Sequence, residues 1–449
     1  MSEFDEKARK TALTLALEGI AVADPETAIK NALKYAANKL KVKNEEIPLK
    51  GRVYVIGAGK ASGGMAKAVE EIMGEIVEDG VVAVPEEIVN DYSLKKIRLV
   101  GSTHPRPSEK SVHACNEILK LVSGLSEDDV VLALISGGGS ALIECPVEGV
   151  TIEDMAEVSI ALMNAGADIF ELNTVRKHLS RIKGGWLARH AYPATLVALM
   201  ISDVVGDRMD TIASGPTVPD PTTFQDAAAV LQRRKVWDKA PPSIKEYITK
   251  GLRGEVPETP KPGDPIFRKV HNHVIASNID SLKAMQDKAQ KLGYNAIILT
   301  AMLEGEAREV GKVAAAIAKE TLRTGHPIEP PAVILAGGET TVTVTGKGKG
   351  GRNQELALAA AIEIKGLTGV AIASIGSDGR DGPTDAAGAV VDGKTVEIAL
   401  EKGLDPIKYL ANNDSYSFFA KAGGHVKTGY TGTNVNDFLI IVVEKKLGA

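Results

Sequence analysis

Residues Ala336 to Leu356 read AGGETTVTVTGKGKGGRNQEL, and their types could handle a small anion. A glycine-rich, lysine-bearing loop that opens a helix gathers bare backbone N–H groups and positive charge at one point, which suits a phosphate or a carboxylate. The LALAAAIEI run after the loop is rich in strong helix formers. The Thr/Val alternation before it predicts a half-buried strand. Gly346 to Asn353 has the GxxxxG spacing of a Walker A loop, with Arg352 and Asn353 where Lys and Ser/Thr would stand. The Mg²⁺-binding hydroxyl is missing, so a true P-loop is excluded. Arg352 still offers a planar fork for a carboxylate or phosphate, and a solvated surface arginine is the plainer alternative.

Four other segments repeat one pattern, an apolar strand stopping at glycines beside a charged or hydroxyl residue. They are Gly57-Ala58-Gly59-Lys60, Ser136-Gly137-Gly138-Gly139-Ser140, Ser202-Asp203 and Gly376-Ser377-Asp378-Gly379, joined by Gly337-Gly338-Glu339 in the first stretch. Open α/β sheets bind ligands outside the carboxyl ends of their strands, so the set predicts ligand-binding sheet edges. ISGGGSAL is the strongest phosphate loop, because three consecutive glycines cost backbone entropy that a plain turn would avoid. Lys60 would reach a transferring phosphoryl group or remain solvated. Gly57 and Gly59 also invite a dinucleotide reading. That fingerprint fails at its third glycine, where Ser62 stands with Gly63 one residue late, and Glu86 lies 29 residues after Gly57 rather than the usual ~20.

Acids group in two loops, Asp203 and Asp207 in SDVVGDRMDTIASGPT, and Asp378, Asp381 and Asp385 in SIGSDGRDGPTDAAG. Acids this dense among glycines hold a divalent metal, act as a base, or cap helices and turns. His104, in THPRPSEKS, sits on a rigid proline-flanked loop that would face substrate or solvent. Arg176, with Lys177, Arg181 and Lys183, lies on a basic helical segment that would be a solvated face or line an anion site. The two cysteines, Cys115 and Cys145, exclude a disulfide framework and a multi-cysteine zinc site and read as small buried hydrophobes.

These loops need elements to hold them. Strand-like runs alternate with helical ones from RVYVIGAGK (52–60) through GVVAVP (80–85), KIRLVGS (96–102), VVLALIS (130–136) and TLVALMISD (195–203). That rhythm implies a three-layer, mostly parallel α/β domain. Residues 5–40 read as helical, and NEEIPLKG (44–51) as a polar connection. PPSIKEYITKGLRGEVPETPKPGDP (241–265), with six prolines, reads as a surface connection. A second rhythm follows in HVIASN, NAIIL, AVILAGG, VAIASIGSDG and FLIIVVE. TVTVTG stands between two strand signals with no helix before it, so that sheet is expected to be partly antiparallel. The expected domains are residues 50–250, and 1–49 with 251–449.

A chain of 449 residues suits two to three domains. A formal charge of −5 with scattered Lys and Arg gives no reason to expect nucleic acid. Apolar runs such as VVLALI are too short to span a bilayer, and MSEFDEKARKTALTLALEGI lacks a signal-peptide core. The expectation is a cytoplasmic protein, with a homodimer left open.

As an ordered set, VIGAGKASGGMA, STHPRP, ISGGGSAL, NTVRKHLSRIKGG, ISDVVGDRMDTIASGPTVPDPTTF, LAGGETTVTVTGKGKGGRNQE, SIGSDGRDGPTDAAGA and TGTNVND resemble the glycerate 2-kinases of the two-domain class with a C-terminal MOFRL domain, here at about 330–440. The resemblance implies two unlike α/β domains, the second with a mixed sheet, and an active site in the cleft between them. It implies transfer of phosphate from ATP, with Mg²⁺, to the C2 hydroxyl of D-glycerate. Lys60 and Arg352 match the family's proposed catalytic basic residues. On this reading Gly57, Gly59 and Ser136 to Ser140 cradle ATP phosphates. His104, Arg176, Glu339, Asn353 and Asn434 contact substrate, and Asp203, Asp207 or Asp378 holds Mg²⁺ or helps deprotonate the hydroxyl. The rival readings are an NAD(P)-dependent hydroxypyruvate reductase and a non-enzymatic binder of small anions or nucleotides.

Overall fold

The computed structural model describes residues 2–445, which fall into two compact units. One runs from Pro25 to Ile275, and the other joins the chain up to Asp24 to the chain from Ala276 onward.

The Pro25–Ile275 unit opens with an antiparallel meander of β1 (Leu33–Ala36), β2 (Lys39–Val42) and β3 (Glu45–Pro48). Its main sheet contains β4 (Val53–Ala58), β5 (Val77–Pro85), β6 (Ile97–Ser102), β7 (Val130–Ile135), β8 (Thr195–Ile201) and β9 (Val270–Ala276), ordered β6-β5-β4-β7-β8-β9. The first five strands are mutually parallel. Every residue of β4 and of β7 is buried, and both read as unbroken apolar runs because helices leave no face of a parallel sheet to water. Ile56, Val131 and Ala133 share a core with Ala114, Ile118 and Val122 of the helix Glu109–Val122.

The observed unit boundaries lie at 24/25 and 275/276, not at 49/50 and 250/251. The meander is the reason. Lys43 Nζ donates to the Val274 carbonyl at 2.5 Å, and Glu45 meets His271 Nδ1 at 2.6 Å, so residues 25–49 and β9 belong together. The predicted long helix over 5–40 stops at Val22, and a second helix covers only Pro25–Ala32. The proline-rich connection contains a helix, Pro242–Leu252, with proline at its start, where the missing N–H costs nothing.

The second unit holds β10 (Asn295–Leu303), β11 (Ala332–Gly338), β12 (Val370–Gly376), β13 (Gly388–Asp392), β14 (His425–Val426) and β15 (Asp437–Val443), ordered β10-β11-β15-β12-β13-β14. The sheet is mixed, as expected, but for another reason. The helix Arg352–Glu363 does connect β11 to β12, and the antiparallel pairing arises because β15 inserts between them. TVTVTG is not a strand. Thr341 makes a single bridge to Glu306; Val342 packs against the core but Val344 is 71% exposed, so the alternation does not carry a buried strand face. The helix Glu3–Val22 packs on β12 and β15. Among the described residues no helix is long and apolar enough to cross a membrane.

Candidate active site

Parallel register brings several of the predicted residues to one edge of the first sheet. Ala58 pairs with Ile135, and Ile135 with Met200. The residues that follow the three strands, Gly59-Lys60, Ser136-Gly137 and, after Ile201, Ser202-Asp203, therefore leave the sheet at neighbouring positions. Lys60 N donates to the Gly137 carbonyl at 2.9 Å. Ser136 Oγ accepts from Ala61 N at 3.0 Å and meets Ser62 Oγ at 3.0 Å. Gly59 has φ +150°, and a Cβ there would collide with Ser136 Oγ.

The glycine loop is hemmed in by the candidate side chains. A Cβ on Gly137 would strike the Asp203 carboxylate. On Gly138, at φ +84°, it would lie 2.9 Å from His104 Cδ2 and 3.4 Å from Lys60 Cγ. On Gly139 it would lie 2.9 Å from the Ala58 carbonyl. Lys60, His104 and Asp203 thus pack directly against glycine backbone, which gathers a cation, an imidazole and a carboxylate at one loop. Two details differ from the sequence reading. The helix after the loop, Gly139–Leu142, is one turn long, so little macrodipole supports the loop. Both flanking hydroxyls are engaged within the protein, Ser136 as above and Ser140 Oγ with Ser214 Oγ at 2.8 Å. For this loop to be a phosphate seat, Gly137→Ala must weaken ATP binding at least about tenfold, a loss of roughly 1.4 kcal/mol, readable by titration calorimetry.

Burial, reinforced by the Lys60 charge, pushes the His104 imidazole down to about 4, so it is neutral at pH 7. An unfolded histidine takes its proton near 6.5, while the native one refuses it until about 4. Between those values the unfolded chain binds more protons, so acidification destabilises the fold. Going from pH 7 to pH 5, the wild type should lose more of its urea midpoint than His104→Gln, which has no such group.

A second cluster forms in the other unit. Gly338 and Gly376 both pair with Asp437, so Glu339, Asp437 and the Ser377-Asp378 turn share one sheet edge. Arg352 reaches into it from the first turn of its helix. Nε and Nη2 bind Asp437 Oδ2 and Oδ1 at 2.5 and 3.2 Å, and Nη1 binds Glu339 Oε1 at 2.7 Å. A Cβ on Gly376 would lie 3.3 Å from Asp378 Oδ1 and 3.4 Å from Asp437 Oδ1, so Asp378 belongs to the same cluster. Burial pushes the Asp437 carboxyl up to about 6 even with the guanidinium beside it. Burial alone would lower Arg352, but Asp437 and Glu339 raise it, so the guanidinium stays charged.

The Gly/Lys loop, in contrast, is not an anion cradle. Five successive amides already have acceptors. Thr345 N and Gly346 N donate to Asn413 Oδ1, both at 2.9 Å, and Lys347 N to Asn412 Oδ1 at 3.0 Å. Gly348 N donates to the Asn412 carbonyl at 2.9 Å, and Lys349 N to Asp414 Oδ1 at 3.0 Å. The helix N-terminus is also occupied, since the buried Asp381 accepts from Asn353 N at 3.0 Å and Gln354 N at 2.8 Å.

Residues 11–249 match the family described as Domain of unknown function (DUF4147), and residues 332–437 match the MOFRL family. Over 441 residues the chain is 47% identical to the glycerate 2-kinase of Pyrococcus horikoshii, covering 98% of each. The chain belongs to the glycerate 2-kinase family. It is also 42% identical to the D-glycerate 2-kinase of Thermotoga maritima, over 97% of this chain and 99% of that one. A protein of Agrobacterium vitis named putative hydroxypyruvate reductase is 41% identical, over 99% and 96%. The crystal structure of a glycerate kinase from Thermotoga maritima aligns with a TM-score of 0.88 at 40% identity, over 98% of this chain and 100% of that one.

In this member of the glycerate 2-kinase family, the other expected site residues are spread over different tasks. Arg176 Nη2 binds the buried Glu144 Oε2 at 2.9 Å. Asn353 is 1% exposed; its Oδ1 accepts from Ser374 Oγ at 2.7 Å and its Nδ2 faces Asp381, so it points into the protein. Asn434 Oδ1 accepts from Asn436 N at 3.0 Å. Among the described residues no group of three or more His, Cys, Asp or Glu side chains is placed to hold a metal ion. Asp203 and the half-buried Asp207 lie in one unit, and Asp378, whose Oδ1 accepts from Arg380 N at 3.0 Å, in the other.

The sequence reading missed Asp437. It ends the quoted TGTNVND segment, and the available signal was an acid on the threshold of the apolar run FLIIVV. Asn278 was also missed. Its Nδ2 donates to the Val435 and Asp437 carbonyls at 2.8 and 3.0 Å, bracing the residue that holds Arg352.

Proposed function

We propose that this protein is an ATP-dependent glycerate 2-kinase, converting D-glycerate to 2-phosphoglycerate and ADP. The observation that carries the reading is the crowding of Lys60, His104 and Asp203 around bare backbone at Gly137 and Gly138. The C2 hydroxyl oxygen forms the new P–O bond, the bond from the γ-phosphorus to the β–γ bridging oxygen breaks, and ADP takes up the electron pair. Such a transfer needs positioning and charge stabilisation more than covalent chemistry. The glycine loop seats the phosphates with its backbone. Lys60 neutralises charge on the transferring group. Arg352, held by Asp437, keeps further N–H donors for a carboxylate such as that of glycerate. The hydroxyl proton passes to one of the candidate acids, Asp203, Asp207 or Asp378.

The residues present fit Mg²⁺ carried on nucleotide phosphates, which asks the protein for only one or two carboxylates. Asp203, against the glycine loop, would hold it, with Asp207 beyond. When bound, Mg²⁺ screens the phosphate charges.

The test is a pair of assays on one preparation. D-glycerate-dependent ADP release, measured by a coupled enzyme assay, supports the kinase. Hydroxypyruvate-dependent oxidation of NAD(P)H with no ADP release would transfer the reading to a reductase. ATP binding without either turnover would leave a nucleotide binder.

A further inference from the structure

Lys183 is among the largest fully buried side chains of the described residues, yet it carries an amine. Its Nζ donates to Glu144 Oε1 at 2.6 Å and to the Ser140 carbonyl at 2.9 Å. Glu144 is also buried, and its other oxygen takes Arg176. Two cations therefore share one carboxylate. Glu144 and Arg176 would make a balanced pair alone, and an apolar side chain at 183 would avoid the desolvation of a second cation. The extra amine sits under the last residue of the glycine loop.

Other contacts lock the same loop from the same side. Ser140 Oγ meets Ser214 Oγ, which donates to Asn173 Oδ1 at 3.1 Å. Gly184 N and Gly185 N, directly after Lys183, donate to the Ser214 and Gly215 carbonyls at 3.0 and 2.8 Å. Ala213 and Ser214 hold left-handed conformations, φ +50° and +61°, beside Gly139. Residues 183–185 thus clamp residues 213–215, and both clamp the loop.

We infer that Lys183 is a positioning residue for nucleotide binding: it fixes the Ser140 carbonyl and leaves one net buried positive charge beneath the phosphates. This rests on the kinase reading only in taking the glycine loop as the phosphate seat. Burial lowers the Lys183 pKa, opposed by Glu144.

Lys183→Met tests it, because Glu144 keeps Arg176 as its partner and the core keeps its volume. ATP dissociation constants by calorimetry and the KM for ATP should both rise about tenfold or more, with the KM for glycerate within about twofold and melting little changed. Lys183→Gln, which keeps a donor but no charge, should fall between wild type and Lys183→Met, and it serves if the methionine variant does not fold. Unchanged ATP affinity with only a lower melting temperature would overturn the inference and leave Lys183 merely structural. Calorimetry separates the two readings: if the wild type binds ATP but does not phosphorylate glycerate, the kinase reading fails while the Lys183 inference is still decided by affinity. A wild type that binds no nucleotide would overturn both.

Discussion

Lys60→Ala should lower kcat for glycerate phosphorylation by roughly 10²–10³-fold, the usual loss when one preorganised charge-stabilising donor is removed. The position of Lys60 sets that size. Its backbone N is fixed to Gly137, and its side chain passes Gly138 within contact distance of where a Cβ would lie. The side chain therefore leaves a rigid strand end beside the glycine loop, which the proposed reading takes as the phosphate seat. Among the described residues no ion pair ties Lys60 into the fold, so the alanine variant should melt close to wild type. The loss should appear mainly in kcat, because Lys60 would stabilise charge as it is redistributed in the transition state rather than in the ground state. Lys60→Arg should recover only part of the rate, since its planar fork places charge differently from a compact ammonium. Wild-type turnover in Lys60→Ala, by the coupled ADP assay, would remove Lys60 from the chemistry.

Arg352→Ala should be equally damaging to activity, with kcat/KM for glycerate falling by about 10²-fold or more, and it should also destabilise the second unit. The reason is the company Arg352 keeps. Removing it strands Asp437, which is 8% exposed; because the Arg352 side chain is 34% exposed, the cost should fall below the roughly 3–5 kcal/mol of a fully buried pair. Folding and chemistry can be separated. Arg352→Ala with Asp437→Asn removes the stranded charge and should restore most of the melting temperature but none of the activity. pH gives a second handle. Burial already raises the Asp437 carboxyl to about 6, and without the guanidinium it rises further. The native variant then binds more protons than its unfolded chain, so its stability deficit should shrink on acidification from pH 7 toward pH 5. If the double variant recovers turnover along with stability, Arg352 only holds the fold.

Much of this arrangement was legible because it is local. β4 and β7 are unbroken apolar runs, and β12 and β15 are apolar but for Ser374 and Asp437, with few alternatives to a buried strand. Ser136 to Ser140 announced itself by three glycines. The losses came from features that a sequence window does not contain. The meander β1–β3 is made of four-residue strands rich in Lys and Glu, and KLKV in β2 buries only Leu40 and Val42. TVTVTG has strand alternation but no neighbouring strand to pair with. The Gly/Lys loop looked open to anions because its acceptors, Asn412, Asn413 and Asp414, lie some 65 residues further along the chain. Arg352 was visible as a fork, but its partner Asp437 is 85 residues away and only sheet register unites them. Buried polar groups find their partners through tertiary structure, and composition says little about which ones.

The central claim is that ATP phosphorylates the secondary hydroxyl of D-glycerate on this protein. Proton-coupled ³¹P NMR of a reaction with ATP, Mg²⁺ and D-glycerate tests it most directly. Loss of the γ-phosphate signal with growth of one phosphomonoester doublet, split by the single C2 proton, is the predicted result. A triplet would place the phosphate on the C3 methylene instead, and the absence of any glycerate-dependent phosphomonoester would contradict the kinase itself.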